Sequence, residues 1–183
     1  MLLSGRLAAA VEIIADVTDN HRPVNAALSD WGKAHRFAGS GDRAAIGNIV
    51  YDTMRQRSLL VEIMGDDSPR ALVLSCANRV MGIEIEQLAE LCAEKHWPGE
   101  LTQEERDALA NTDRIAAASA SARANIPDWL MPSFELAFGD MAIAQGEALA
   151  QRAPVDIRAN LIKTTPEKLL RQLEKLNAQT GPF

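Results

Sequence analysis

The sequence predicts a mainly α-helical protein that ends in a strand followed by a helix. Alanine supplies much of the hydrophobic fraction of 47%, whereas aromatic residues make up only 4%. Alanine is the best helix former and β-sheets favour branched and aromatic residues, so this composition favours a helical bundle. Apolar residues also recur at the spacing of a buried helix face. Only after Pro154 do they recur at every second residue, which is the spacing of a strand.

The first two helices are marked by apolar spacing and by a proline. An apolar stripe from Leu3 to Val17 predicts a helix at the start of the chain. Pro23 suits the first turn of a second helix that extends to about Arg36, because the N–H that proline lacks is not needed there.

The third helix has the longest apolar stripe. A glycine-containing break at 39–41 precedes Asp42, whose carboxylate favours the positive end of a helix dipole. The stripe then runs from Ile46 to Met64, with Arg57 as its one charged member, and predicts a single continuous helix.

Later helices follow from apolar spacing and from capping residues. We predict helices over 68–81 and 84–94, a turn at 97–99, and a helix opened by a capping box at 102–105 that extends to about Asn111. Pro127 and Pro132 frame a short helical segment that ends at Gly139, and Asp140 is expected to cap a helix over 141–150.

The segment after Pro154 has the alternation of a half-buried strand. Val155, Ile157 and Leu161 alternate with polar residues, so a strand is predicted over 155–162. A lone strand leaves its backbone groups unpaired, and we therefore expect its partners beyond the last residue or on another chain. Thr165 is then expected to cap a helix over 166–177.

The charge balance and the cysteines limit the settings in which the chain can act. The formal net charge of −6 argues against non-specific electrostatic binding to nucleic acid or to an anionic membrane. The surplus acid lies in residues 61–120, so a polyanionic partner is expected to contact the first or last third. Cys76 and Cys92 are isolated, and no apolar run approaches the about 20 residues of a membrane span. We expect a cytoplasmic protein with no membrane partner.

Complete catalytic and cofactor motifs are absent from the sequence. The three histidines share no metal-ligand spacing, and both cysteines are expected to be small core residues. No Gly-rich loop follows a strand and no Walker loop is present, so no phosphate or dinucleotide site is predicted. The chain is thus expected to contain no catalytic, cofactor-binding or metal-binding residue.

Basic residues provide the candidate binding surfaces. Those around the second and third helices could contact phosphates, and those near the predicted strand could bond phosphate, ribose and a base edge. In the alternative interpretation the first group forms ordinary surface ion pairs with Asp30, Asp42 and Asp52. The candidate RNA-binding residues are Arg22, Arg36, Arg43, Arg55 and Arg57, together with Arg158, Asn160 and Lys163.

A series of short segments resembles the opening of the Sun-type RNA cytosine-C5 methyltransferases, whose best-known bacterial member modifies 16S ribosomal RNA. The most specific segments are Pro127-Asp128-Trp129-Leu130 and Arg158-Ala159-Asn160. The other similar segments, in the same chain order, are Arg22-Pro23, 27–30, 34–36, 39–40, 42–43, 49–51, Arg55, 69–72, 101–109, 125–126, 138–140, 152–157 and 163–165.

The resemblance implies a domain organisation. Residues 1–152 would form a helical domain similar to the antitermination factor NusB, and 153–183 would begin a small α+β RNA-binding subdomain. In the family, an S-adenosylmethionine-binding Rossmann-type domain with two catalytic cysteines follows, and we expect this chain to stop before it. Neither Cys76 nor Cys92 has the Pro-Cys or Thr-Cys setting of those nucleophiles. The fragment would thus hold no cofactor, whereas its parent protein would use S-adenosylmethionine.

The predicted function is therefore that of a non-catalytic, RNA-binding accessory fragment of a ribosomal RNA cytosine-C5 methyltransferase. Its partners would be ribosomal RNA, with 16S expected, and the missing carboxy-terminal catalytic domain. Two alternatives stay open. One is a free-standing NusB-like module of the antitermination type, whose strand pairs in a dimer. The other is a helical protein-interaction module with no RNA role, which the acidic middle third favours.

Overall fold

A computed structural model describes residues 1–97 and 99–181 of the chain. The predicted turn at 97–99 includes Pro98, which lies outside these residues. The described part is mainly helical, which confirms the predicted fold class, and none of its helices combines the length and apolar character that a membrane crossing requires. The chain divides into two compact units, Met1–Gln151 and Arg152–Phe183.

Short helices joined by tight turns build the first unit. Two 3-10 turns, Asp128–Leu130 and Gly139–Met141, flank its tenth helix. The α-helices in the described residues of this unit are α1 (Leu3–Asp19), α2 (Val24–Ala34), α3 (Ser40–Arg55), α4 (Arg57–Met64), α5 (Pro69–Arg79), α6 (Ile85–Cys92), α7 (Gln103–Ala110), α8 (Asp113–Ala117), α9 (Ala120–Ala124), α10 (Met131–Phe138) and α11 (Ala142–Leu149).

The core of the first unit surrounds α5. All seven residues from 71 to 77 are buried, and α1, α3, α4, α6 and α7 pack around this helix. A helix that is apolar on all sides is stable only inside a protein, and the run of alanine, leucine, valine and cysteine in α5 fits this position. Burial of α5 sets the positions of α1 and α3, and α2 packs against both of them.

Capping side chains fix several helix starts. In the predicted capping box of α7, the backbone N–H of Glu105 donates to the Thr102 hydroxyl at 3.2 Å, and the N–H of Thr102 donates to the Glu105 carboxylate at 2.9 Å. Ser68 caps α5, whose first residue is Pro69. The predicted box is confirmed, whereas Asp140 lies in a 3-10 turn and Met141 is the residue that precedes α11.

The prediction of one continuous third helix is wrong. The chain breaks at Gln56, where φ is −109° and ψ is 14°, so α3 and α4 are separate helices. The Gln56 N–H contacts the carbonyls of both Asp52 and Thr53, as at a helix end. Leu60 and Met64 of α4 are still buried in the core, and Arg57 is the first residue of this helix.

A small second core joins α9, α10 and α11. It contains Ala124, Ile126, Met131 and Ala142. Gly146 of α11 lies directly against α9: an added Cβ there would be 2.5 Å from both the Cβ and the carbonyl oxygen of Ala124. The two helices can be this close only because position 146 has no side chain.

The second unit contains one α-helix in its described residues, α12 (Pro166–Gln172), followed by a 3-10 turn over Glu174–Leu176. The Thr165 hydroxyl accepts from the Lys168 N–H at 3.4 Å, and Pro166 is the first helical residue, as predicted.

The strand predicted over 155–162 is not formed in the structure. Residues 152–160 have no regular secondary structure and 161–163 form a turn. The described residues contain no second strand to pair with this segment, and its apolar side chains are exposed, to 85% at Val155 and 95% at Ile162. The Asn160 side chain accepts a hydrogen bond from the Ile162 N–H, which makes a local turn of the kind that competes with a strand.

Candidate nucleic-acid interface

Three of the five arginines predicted for the first surface are in ion pairs with carboxylates. Arg22 binds Asp16 at 2.7 Å and Asp30 at 2.5 Å. The hydrogen bond to Asp30 raises the pKa of the Arg22 guanidinium above its ordinary value. Arg55 pairs with Asp52, and Arg57 lies 3.5 Å from Asp67. A phosphate would have to displace these carboxylates, so the ion-pair interpretation holds for this part of the surface.

The other two arginines, Arg36 and Arg43, have no acidic partner among the described residues. Both side chains are exposed; Arg36 lies in the segment 35–39 between α2 and α3, and Arg43 lies near the start of α3. Nε of Arg43 donates to the Ala38 carbonyl at 2.9 Å, which holds the guanidinium beside this segment without neutralising its charge. The Arg43 stem lies 3.5 Å from the Cβ position of Gly32 on α2.

Asp42 is next to Arg43 in the sequence, but its carboxylate is engaged elsewhere. It accepts hydrogen bonds from Nε and Nη2 of Arg6 on α1, at 3.0 and 2.7 Å. The amino group of Met1 lies 3.2 Å from the same carboxylate. Its negative charge is thus balanced by Arg6 and by the amino group of Met1, and Arg43 has no acidic partner among the described residues.

A groove of about 290 Å³ lies between α2 and α3, beside Arg43. Three residues spaced four apart on α3 follow one ridge of the helix along it: Arg43, Gly47 and Tyr51. The missing side chain at Gly47 keeps the centre of this ridge low. The remaining lining residues are Asn25, Leu28, Ser29, Trp31 and Ile46. The groove therefore combines a cation, two aromatic rings, a hydroxyl and an amide.

Trp31 is held in place from two sides. Its Nε1–H donates to the Glu12 carboxylate on α1 at 2.8 Å, and its ring stacks on His35 with centroids 4.2 Å apart. Tyr51 is less enclosed, with 41% of its surface exposed. One aromatic wall of the groove is thus fixed by the fold, and the other is open to solvent.

Sequence reasoning placed Arg43 on the surface but did not identify Trp31 and Tyr51 as its neighbours. A lone tryptophan usually packs in a protein core, so Trp31 by itself gave no signal of this groove. A usable signal was the four-residue spacing of Arg43, Gly47 and Tyr51, since such residues line one side of a helix.

The second predicted group lies in the second unit. Arg158, Asn160 and Lys163 are all exposed. The prediction that Arg158 and Asn160 share a strand face is wrong, because no strand is formed here. Asn160 organises the turn instead, because its carbonyl accepts from the N–H groups of Lys163 and Thr164 at 2.8 and 2.9 Å.

The two cysteines lie in the core of the first unit, as predicted. Burial raises the pKa of Cys76 to about 11, and burial also raises the pKa of Cys92 to about 11. Both thiols are therefore protonated near neutral pH and weak as nucleophiles. Within the described ranges, no group of three histidine, cysteine or acidic side chains is arranged to hold a metal ion.

Comparison with family models, curated proteins and solved structures finds no match for this chain.

Proposed function

We propose that this chain is an RNA-binding helical module whose contact surface is centred on the α2–α3 groove. The observation that carries this proposal is the position of Arg43 beside Trp31 and Tyr51, because this exposed cation has no acidic partner in the part of the chain that the structure describes. Proteins that bind single-stranded RNA combine cations for the phosphates with aromatic rings for the bases. Arg36, in the segment between α2 and α3, adds a second cation that has no acidic partner among the described residues.

We further propose that the module serves a cytoplasmic, S-adenosylmethionine-dependent ribosomal RNA cytosine-C5 methyltransferase as an accessory domain. The support is the ordered sequence resemblance, in which 1–152 corresponds to the NusB-like domain and 153–183 to the start of the RNA-binding subdomain. The two thiols of this chain, with a pKa of about 11 each, are poor nucleophiles. In this proposal catalysis and cofactor binding therefore belong to a separate domain of the parent protein.

A protein-interaction module is the second candidate function. A specific observation favours it, because large apolar side chains around α10 are exposed, to 77% at Trp129 and 91% at Leu136. Exposed apolar residues grouped on one part of a surface are typical of protein contacts.

An antitermination-type RNA-binding module would also bind RNA at the α2–α3 groove. It differs from the first proposal only in lacking a methyltransferase partner.

The experiment is a titration of labelled 16S ribosomal RNA fragments at several salt concentrations, followed by fluorescence anisotropy. The variant Arg36→Gln/Arg43→Gln removes the two unmatched charges. Because each lost phosphate contact with a single strand lowers the salt slope by about 0.7, we expect the slope to fall by about 1.4. Arg158→Gln/Lys163→Gln tests the second unit in the same way.

The matched control is Arg55→Gln/Arg57→Gln, which removes two charges from the same region that are already paired with carboxylates. We expect it to leave the salt slope unchanged, even where overall affinity falls slightly. An equal loss of slope in both double variants would contradict the assignment to Arg36 and Arg43. No binding by the wild-type chain even at low salt would favour the protein-interaction module.

A further inference from the structure

The α2–α3 groove has the size and lining of a site for one small ligand. Its volume of about 290 Å³ is close to the lower limit of the about 300–1,000 Å³ found for small-molecule sites. A single nucleotide fits this scale, whereas a continuous duplex does not enter a groove between two helices. The lining includes the apolar side chains of Leu28 and Ile46 and the polar side chains of Asn25, Ser29 and Arg43.

The lining residues match the separate parts of a nucleotide. Tyr51, which is 41% exposed, offers a ring for base stacking, and Trp31, held by its hydrogen bond to Glu12, adds a second ring to the lining. Asn25 and Ser29, one helical turn apart on α2, offer an amide and a hydroxyl that can hydrogen-bond a base edge or ribose. The Nη groups of Arg43 remain available for a phosphate, since only its Nε is bonded to the Ala38 carbonyl.

We propose that the α2–α3 groove binds one unpaired nucleotide of a single-stranded RNA, with its base on Tyr51 and its phosphate at Arg43. This inference rests on the proposed RNA-binding function and makes it more specific. Bases in a duplex are stacked on their neighbours, so neither face is available to Tyr51. The module therefore selects single strands, loops and bulges over helical RNA, and it tolerates different bases because every base has a π-face.

The test compares labelled oligouridylate, single-stranded or annealed to oligoadenylate, in anisotropy titrations with the full chain at low salt. Tyr51→Ala removes the stacking face, and loss of one base stack weakens binding of the single strand by about 5- to 140-fold. Tyr51→Phe keeps the ring and retains most of the affinity. Trp129→Ala is the matched control, an exposed aromatic residue outside the groove, and it leaves single-strand affinity unchanged.

A second variant fills the groove and leaves its charges and rings in place. An added Cβ at Gly47 would lie 4.0 Å from Leu28 Cδ1, which is an ordinary contact, and Gly47 lines the groove, so we expect the larger side chain of Gly47→Leu to occupy the groove. We expect it to weaken single-strand binding at least tenfold, with an unchanged circular dichroism spectrum.

The outcomes separate this inference from the proposed function. If Tyr51→Ala and Gly47→Leu both bind the single strand like wild type, or if the duplex binds as tightly as the single strand, the nucleotide site is refuted while RNA binding stands. If the wild-type chain binds neither RNA, both proposals are refuted. A selective loss of single-strand affinity in both variants supports the site.

Discussion

The close approach of α9 and α11 provides a stringent test of the packing described above. At Gly146, an added Cβ would lie 2.5 Å from the Cβ and carbonyl oxygen of Ala124 and 2.8 Å from its Cα. Carbon atoms in contact are ordinarily about 3.5–4.0 Å apart. Gly146→Ala therefore requires the two helices to separate by about 1 Å, since two of these three atoms are backbone and cannot rotate away.

The expected change in the free energy of unfolding combines two opposing effects. Overpacking of a well-packed site costs about 1–3 kcal/mol, and the backbone clash places Gly146→Ala in the upper part of this range. Alanine has a higher helix propensity than glycine by about 1 kcal/mol, which offsets part of the cost. We expect the free energy of unfolding to fall by about 1–2 kcal/mol.

The assay is urea denaturation followed by far-ultraviolet circular dichroism, with Gly47→Ala as the matched control. Position 47 is also inside a helix, but its added Cβ meets nothing closer than 4.0 Å. This control should gain about 0.5–1 kcal/mol from helix propensity alone. Equal stabilisation by both substitutions would refute the close approach of α9 and α11.

Two further predictions concern pH and the cofactor. Burial tends to raise the pKa of Glu105, but hydrogen bonds from Arg70, at 2.6 Å, and from Thr102 outweigh it, so this pKa lies below its ordinary value of 4.5. The stability that these hydrogen bonds to the Glu105 carboxylate contribute is therefore fully present above pH 4.5. It is lost as the pH falls from 4.5 through the lower pKa of the folded state. In urea titrations, Glu105→Gln should cost more stability at pH 7 than near pH 3, and a cost independent of pH would contradict this account. We also expect isothermal titration calorimetry of this chain with S-adenosylmethionine to detect no binding, and micromolar affinity would contradict the assignment of the cofactor to another domain.

Local sequence signals predicted much of the fold. The Thr102 and Thr165 caps depend on residues three positions away, and such short-range geometry is visible in a sequence. The break at Gln56 was not predictable in this way, because apolar residues continue on both sides and no proline or glycine marks the bend. It depends on how α3 and α4 each pack against α5.

The strand prediction failed for a related reason. Alternating apolar residues indicate what a segment could do beside another strand, but pairing depends on residues elsewhere. Among the described residues nothing pairs with 155–162, and Asn160 makes a local turn instead.

The candidate site was only partly predictable, because ion pairing depends on tertiary structure. The sequence placed Asp42 beside Arg43, yet the fold directs Asp42 to Arg6, 36 residues earlier. Arg55 and Asp52 are three residues apart on one helix, so their pairing could be anticipated. The contact of Trp31 with the groove arises only when α2 packs on α3, and no local pattern contains it.

The burial of α5 has a consequence for how the first unit opens. Its amide protons are shielded by the surrounding helices, so they can exchange with solvent only when several of these helices detach together. Local opening of the outer helices, such as a separation of α2 from α3 that admits a ligand, can therefore occur while α5 stays buried. The interior of this unit is a rigid support on which the outer helices can move separately.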